Sequence, residues 1–225
     1  MYKCCIFDLD GTLVNSIYAI QKSVDLSLEK WGMRPVSVNE CKVFVGDGYK
    51  KLLERALAAC GDEKLVHYDE AVERYPEIFK GCCMYRVEAY EGIRELLKFL
   101  KDQGITAAVL SNKPHPRTLD NVNGVFGGGC FDLIYGERED RGIQKKPAPD
   151  GVWAIVEELG VKREEVLYLG DTNTDMRTGK NAGVDTVGVT WGFRDREELA
   201  AFSPRFIADH PSQVVQFIKD VNGIE

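Results

Sequence analysis

Four short polar clusters in this 225-residue chain carry side chains that could act together on one anionic group. The first is Asp8-Leu9-Asp10-Gly11-Thr12-Leu13, directly after the apolar run Cys4–Phe7. Residues two apart on a strand point the same way, so Asp8 and Asp10 can face one pocket. Two neighbouring carboxylates repel unless a cation or a shared proton relieves them. Gly11 lets the backbone turn and Thr12 can hydrogen-bond beside it. The second cluster is Ser111-Asn112-Lys113-Pro114, where a hydroxyl and free N–H groups suit an oxyanion. The third, Lys145-Lys146-Pro147-Ala148-Pro149-Asp150, could fix an ammonium, because a proline restricts the residue before it. The fourth, Gly170-Asp171-Thr172-Asn173-Thr174-Asp175, sets two carboxylates four apart, able to hold a hard cation through oxygen. Each has an ordinary alternative: an acidic turn, turn chemistry at Ser-Asn, a solvated basic loop, and an Asp175 that merely caps a helix. Their order along the chain argues against four coincidences.

These clusters need elements that bring them together. Strand-like runs at Cys4–Phe7, Ile105–Leu110, Phe131–Tyr135, Val166–Leu169 and Thr186–Val189 alternate with helical patterns. Ile93, Leu96, Leu97 and Leu100 form one apolar stripe stopped by Gly104; Val152, Ile155, Val156 and Leu159 form another stopped by Gly160. Alternation of this kind predicts an α/β fold, a parallel Rossmann-like sheet covered on both faces, with ligand sites at the carboxyl ends of its strands. One interval breaks the rhythm. The stretch from Asp10 to Ile105 far exceeds the dozen or so residues of a crossover. It is filled by stripes at Ile17, Ile20, Val24, Leu28 and Trp31, at Tyr49–Cys60, and at Leu65–Phe79, where Pro76 is expected to kink or divide the helix. Residues 14–87 are therefore read as a small helical domain inserted into a core made of residues 1–13 and 88–225, the segment that the resemblance below makes a helical cap. Gly127-Gly128-Gly129 reads as a flexible loop.

Composition narrows the function. With 44% apolar and 29% charged residues the chain is globular, able to bury roughly 70% of its unfolded surface. A net charge of −7 argues against a general nucleic-acid or anionic-membrane surface. No apolar run is long enough to span a bilayer, and Asp8 and Asp10 interrupt the one stretch where a signal peptide would lie. Seven cysteines without a CxxC pair read as reduced thiols in a cytoplasmic protein. His67, His115 and His210 share no ligand spacing, and Trp31, Trp153 and Trp191 read as packing residues. A monomer or a homodimer is expected.

In these motifs the chain resembles the haloacid dehalogenase-like phosphohydrolases along essentially its whole length. Within that superfamily Phe7–Val14, Val45–Leu52, Tyr90–Leu97, Gly170–Gly183 and the Trp191-Gly192-Phe193-Arg194 segment most resemble the phosphoglycolate phosphatase branch. The resemblance implies a Mg²⁺-dependent hydrolase of a small phosphorylated metabolite. Asp8 would be the nucleophile forming an aspartyl-phosphate, and Asp10 the acid and then the base. Ser111, with the Asn112 amide, would bind phosphoryl oxygens, and Lys146 rather than Lys145 would stabilise charge. The Asp8 carboxylate, the Asp10 backbone carbonyl and Asp171 would hold Mg²⁺, with Asp175 orienting that shell. Gly46-Asp47-Gly48 looks like the cap's substrate loop. Rival activities on the same core are a sugar-phosphate phosphatase, a phosphoglucomutase-type transferase, a pyrophosphatase and a nucleotidase. A dehalogenase or phosphonatase is disfavoured because those branches lack the acid at Asp10, although Lys50 and Lys51 leave a cap lysine available. A receiver-like phospho-aspartate signalling module is the non-enzyme rival; receivers have no inserted cap.

Overall fold

A computed structural model describes residues Met1–Glu225. Six parallel strands form one sheet: β1 (Cys4–Phe7), β4 (Thr106–Pro114), β5 (Leu133–Glu137), β6 (Val166–Gly170), β7 (Asp185–Val189) and β8 (Phe206–Ala208), in the order β5-β4-β1-β6-β7-β8. The expected α/β class is present. β1 lies at the centre, and the chain places β4 on one side of it and β6 on the other. That reversal of strand order opens a crevice at the carboxyl ends of β1, β4 and β6.

Side chains alternate across the sheet as the pleat requires. Cys5 and Phe7 face a cluster completed by α5 (Ile93–Asp102), α6 (His115–Phe126) and α10 (Pro211–Asn222). Cys4 and Ile6 face the other layer, with α7 (Asp150–Leu159) and α8 (Asn173–Ala182). Both faces are covered, which is why the strands are apolar on both sides.

Between β1 and β4 stand α1 (Ile17–Glu29), α2 (Val38–Phe44), α3 (Tyr49–Ala59) and α4 (Tyr68–Cys82). They pack around an apolar cluster of their own, including Ile17, Val24, Leu28, Leu53, Leu57, Tyr75 and Phe79, joined from outside by Phe193. The chain enters and leaves this block through β2 (Val14–Asn15) and β3 (Glu88–Ala89), which pair antiparallel.

Three local expectations are corrected. α4 runs unbroken through Pro76, since one missing N–H removes a single bond that burial of Tyr75 and Phe79 outweighs. β4 does not stop at Leu110: it continues through Ser111 to Pro114 with a register irregularity, so the second polar cluster is strand rather than turn. β5 begins at Leu133, because Asp132 turns its carboxylate onto the Ala107 amide. Sequence reasoning passes over β8, α2, α9 (Arg196–Ala200) and α10, although Val214, Phe217, Ile218 and Val221 of α10 stand at helical spacing between Pro211 and Gly223. All seven cysteines are free thiols.

Candidate active site

Each strand around the crevice delivers its polar cluster at its carboxyl end. Asp8 follows β1, Ser111–Lys113 lie at the end of β4, and Asp171 follows β6. Lys146 reaches in from the loop before α7. Asp8, Ser111, Asn112, Lys113, Lys146, Asp171 and Asp175 are all buried.

One carboxylate oxygen from each of Asp8, Asp171 and Asp175 lies within 4.8 Å of the others. At an effective dielectric of about 20, two unit charges at that spacing repel by roughly 3 kcal/mol. Lys146 answers part of this: its Nζ donates to Asp8 Oδ1 at 2.7 Å and to Asp175 Oδ1 at 2.7 Å. Burial works against its charge, but Asp175 and Asp8 outweigh burial and hold its pKa well above the usual lysine range. Asp8 is pushed well above the carboxylate range by burial and by Asp175, against the pull of Lys146. Asp171 is pushed up to about 7, again by burial first and Asp175 second.

The hydrogen bonds separate the roles of the carboxylates. Asp175 is saturated: Oδ1 accepts from Lys146 and Tyr168 Oη, and Oδ2 from the Thr172 N–H and hydroxyl. It closes a capping box on α8 as well. Asp171 accepts only neutral donors, Thr12 Oγ1 at 3.0 Å and the Phe193 N–H at 2.8 Å. No ammonium reaches it. Asp8 Oδ2 meets no donor. A buried trio with one ammonium therefore lacks positive charge on the side of Asp8 and Asp171. Oxygen donors there suit a hard divalent cation, and that donor set fits Mg²⁺. Space at Asp171 depends on glycine: a Cβ on Gly11 or Gly192 would stand 2.2 or 2.4 Å from its Oδ2.

Ser111 Oγ accepts the Lys113 N–H at 3.2 Å, and no protein group takes its own proton. Asn112 is tied down: its Oδ1 accepts from the Lys146 N–H at 2.8 Å, and its Nδ2 donates to the carbonyls of Lys146 and Gly46. Lys145 turns away to Glu137 at 2.9 Å. Asp10 stands outside the carboxylate trio, its side chain held by Lys113 at 2.6 Å.

The helical block closes the crevice. Ile20, Val45, Gly46, Gly48, Tyr49, Leu52, Tyr75 and Phe79 wall the pocket opposite Asp8, with Phe193 beside them. Tyr49, Tyr75 and Phe79 stack with centroids 5.4 and 5.6 Å apart. Asp47 is not part of that wall. Its carboxylate takes the Thr174 hydroxyl at 2.8 Å and Arg55 at 2.5 Å; burial opposes its charge, but these donors keep its pKa below the usual range. Arg194 donates to the carbonyls of Lys42, Val43 and Val45 at the end of α2. Sequence reasoning passes over Lys113, the Phe193 N–H and Tyr168. The first could be suspected as a lysine within a polar cluster; a backbone donor leaves no signal in residue type. The histidines stand clear of the crevice, His67 stacked on Trp31, His115 beside Gly136, and His210 capping α10.

Comparison with known proteins supports the same picture. The profile described as haloacid dehalogenase-like hydrolase matches residues 5–189. A phosphoglycolate phosphatase of Pseudomonas fluorescens is 31% identical over 92% of this chain and 76% of its own. One from Pectobacterium atrosepticum is 29% identical over 94% and 90%. A crystal structure of a Lactobacillus delbrueckii subsp. bulgaricus protein, itself assigned as a phosphoglycolate phosphatase by inference, superposes with a TM-score of 0.88 at 30% identity, covering 96% of this chain and 98% of that one. No helix is long and apolar enough to cross a membrane.

Proposed function

The chain belongs to the haloacid dehalogenase-like hydrolases and is a phosphatase, and from that premise we propose that it hydrolyses phosphoglycolate, with Mg²⁺, through an aspartyl-phosphate on Asp8. The observation that carries this reading is the pairing at Asp8: one oxygen bonded to Lys146, the other free, beside two further buried carboxylates. Lys146 orients the nucleophile and places positive charge where the phosphoryl oxygens gather. Asp8 attacks phosphorus as the bond to the leaving oxygen breaks, and Asp10 supplies the proton that oxygen takes. Water then attacks the phosphoryl group, gives its proton to Asp10, and frees Asp8. Ser111, with an uncommitted hydroxyl proton, donates to a phosphoryl oxygen. Preorganised charge of this kind supplies most of the rate in phosphoryl transfer.

Asp8 and Asp171 side chains, with the Asp10 carbonyl, would hold Mg²⁺, and Asp175 would keep Lys146 and the α8 turn in place. When bound, the ion offsets the charge of carboxylates and substrate together. Residues 14–87 act as the cap: Gly46 and Gly48 present backbone to the pocket, while Asp47 and Arg194 fasten the block to the core. Phosphoglycolate as substrate is supported by the relatives, not by a charge on the cap wall.

A kinetic panel with Mg²⁺ tests this: phosphoglycolate, sugar phosphates, pyrophosphate and nucleotides side by side, with acid-quenched phosphoenzyme measured in parallel. Phosphoglycolate should rank first by kcat/KM, with phosphate trapped on Asp8. Another ester ranking far above it would overturn the substrate; turnover without phosphoenzyme would overturn the mechanism.

A further inference from the structure

Lys113 is a buried charge in the pocket that this mechanism leaves without a role. It is 7% exposed. Its Nζ donates to Asp10 Oδ1 at 2.6 Å and to Asn121 Oδ1, and it lies 5.3 Å from the centre of the Phe79 ring. An ammonium has three donors, and two oxygens and a π face account for them. None is left to bind substrate directly.

The bonds at Asp10 are one-sided. Ser16 Oγ donates to Oδ1, the same oxygen that Lys113 holds, and no donor meets Oδ2. A carboxylate clamped through one oxygen presents the other in a single direction. The clamp also reaches across to the helical block. Phe79 belongs to α4, and Asn121 Nδ2 donates at 2.8 Å to the carbonyl of Cys83, the residue after α4. Moving the end of α4 would therefore withdraw the Phe79 ring from Lys113 and release the carbonyl that anchors its Asn121 partner.

We propose that Lys113 is a positioning residue that holds Asp10 so that Oδ2 exchanges the proton with leaving group and water, and that docking of α4 sets it in place. The proposal rests on Asp10 being the proton-transfer group. In the first half-reaction the proton on Oδ2 passes to the leaving oxygen as the P–O bond breaks and the Asp8–phosphorus bond forms. In the second, water oxygen bonds to phosphorus, the Asp8–phosphorus bond breaks, and a water proton returns to Oδ2.

p-Nitrophenyl phosphate separates the halves, because nitrophenolate departs without a proton. With Lys113→Met, rapid mixing should show a burst of about one equivalent of nitrophenolate at the normal rate, as expected if only proton transfer is impaired. The steady state should then fall on the order of 10²-fold, within the range general acid–base catalysis supplies. Phosphoglycolate turnover should fall by a similar factor with KM little changed. Asn121→Ala, which keeps the lysine but loosens it, should show the same pattern at about a tenth of that size, and it carries the test if Lys113→Met loses its cooperative thermal transition. Burst and steady state falling together, a rise in KM alone, or near-normal turnover in both variants would overturn the proposal. Asp10→Asn is run beside them. If it retains turnover, the reading of Asp10 itself fails; if it is inactive while both other variants work normally, only the role of Lys113 fails.

Discussion

The two sides of the pocket differ in what they are made of. The strand-end side concentrates the carboxylates of Asp8, Asp10, Asp171 and Asp175 with two lysines, the Ser111 hydroxyl and the Asn112 amide. The helical side opposite is almost wholly apolar, with Ile20, Val45, Leu52, Tyr49, Tyr75 and Phe79. Charge on one wall and none on the other divides the work. The core must bear the electrostatic penalty of gathering anions, and it must do so for any phosphate ester. The helical wall can discriminate only by shape and by excluding water, which strengthens the charges it covers. On the reading proposed above, the helical wall would select esters by volume and apolar contact more than by matching a second charge.

The contrast can be broken most severely at Asp8. Asp8→Asn keeps the size but removes the proposed nucleophile, so steady-state turnover of every ester should fall at least ~10⁴-fold, with the thermal transition retained. Substantial residual turnover would move the nucleophile elsewhere.

Removing the cation is the next largest perturbation. Excess EDTA should abolish turnover and Mg²⁺ should restore it. Its effect on stability has a sign. The Asp171 pKa is raised to about 7 in the folded protein, against roughly 3.9 when unfolded. Between those values the folded state holds a proton the unfolded chain has lost, so metal-free stability falls as pH rises through that window. While Asp171 holds that proton, one anionic charge of the cluster is removed without metal. Mg²⁺ should accordingly raise Tm more at pH 8 than at pH 5, measured by thermal unfolding; an equal rise at both would separate metal binding from Asp171.

On the apolar side the effects should be smaller and selective. Tyr49→Ala enlarges the wall without touching the charged groups. The ratio of kcat/KM for a bulky sugar phosphate over phosphoglycolate should rise roughly tenfold or more, while the yield of phosphoenzyme on Asp8 is unchanged. Loss on both esters alike would show that the wall serves the chemistry as well. Asp47→Ala, which removes one fastening between the two regions, should raise KM a few-fold, the equivalent of about 1 kcal/mol for one hydrogen bond, and leave kcat near normal in initial-rate kinetics.

The legibility of the molecule divides along the same line. The Asp8/Asp10 pair, the strand before it and the Asp171/Asp175 pair are readable because acids spaced this way, directly after an apolar run, must crowd the end of one buried strand. The stripes at Ile17–Leu28 and Tyr49–Cys60 are readable because burial on one face imposes a helical period. Ser111–Pro114 reads as a turn because its residues are turn formers, and pairing with β5 overrides that local preference. Pro76 reads as a break on the same kind of local preference, which packing overrides. Asp47 reads as a substrate ligand because its flanking glycines mark a loop near a site; that its carboxylate faces Thr174 and Arg55 depends on how α3 and α8 come together.

Residue order alone determined the fold class, the order of the polar clusters and the identity of the charged groups, since hydrophobic period and motif spacing are local properties. Which oxygen of each carboxylate is free was decided only in three dimensions. Asp8 and Asp10 each keep one bare oxygen because Lys146 and Lys113 arrive from other strands and loops, and Asp175 keeps none. Hydrogen bonds have direction, and direction between distant segments is set by packing, not by sequence spacing.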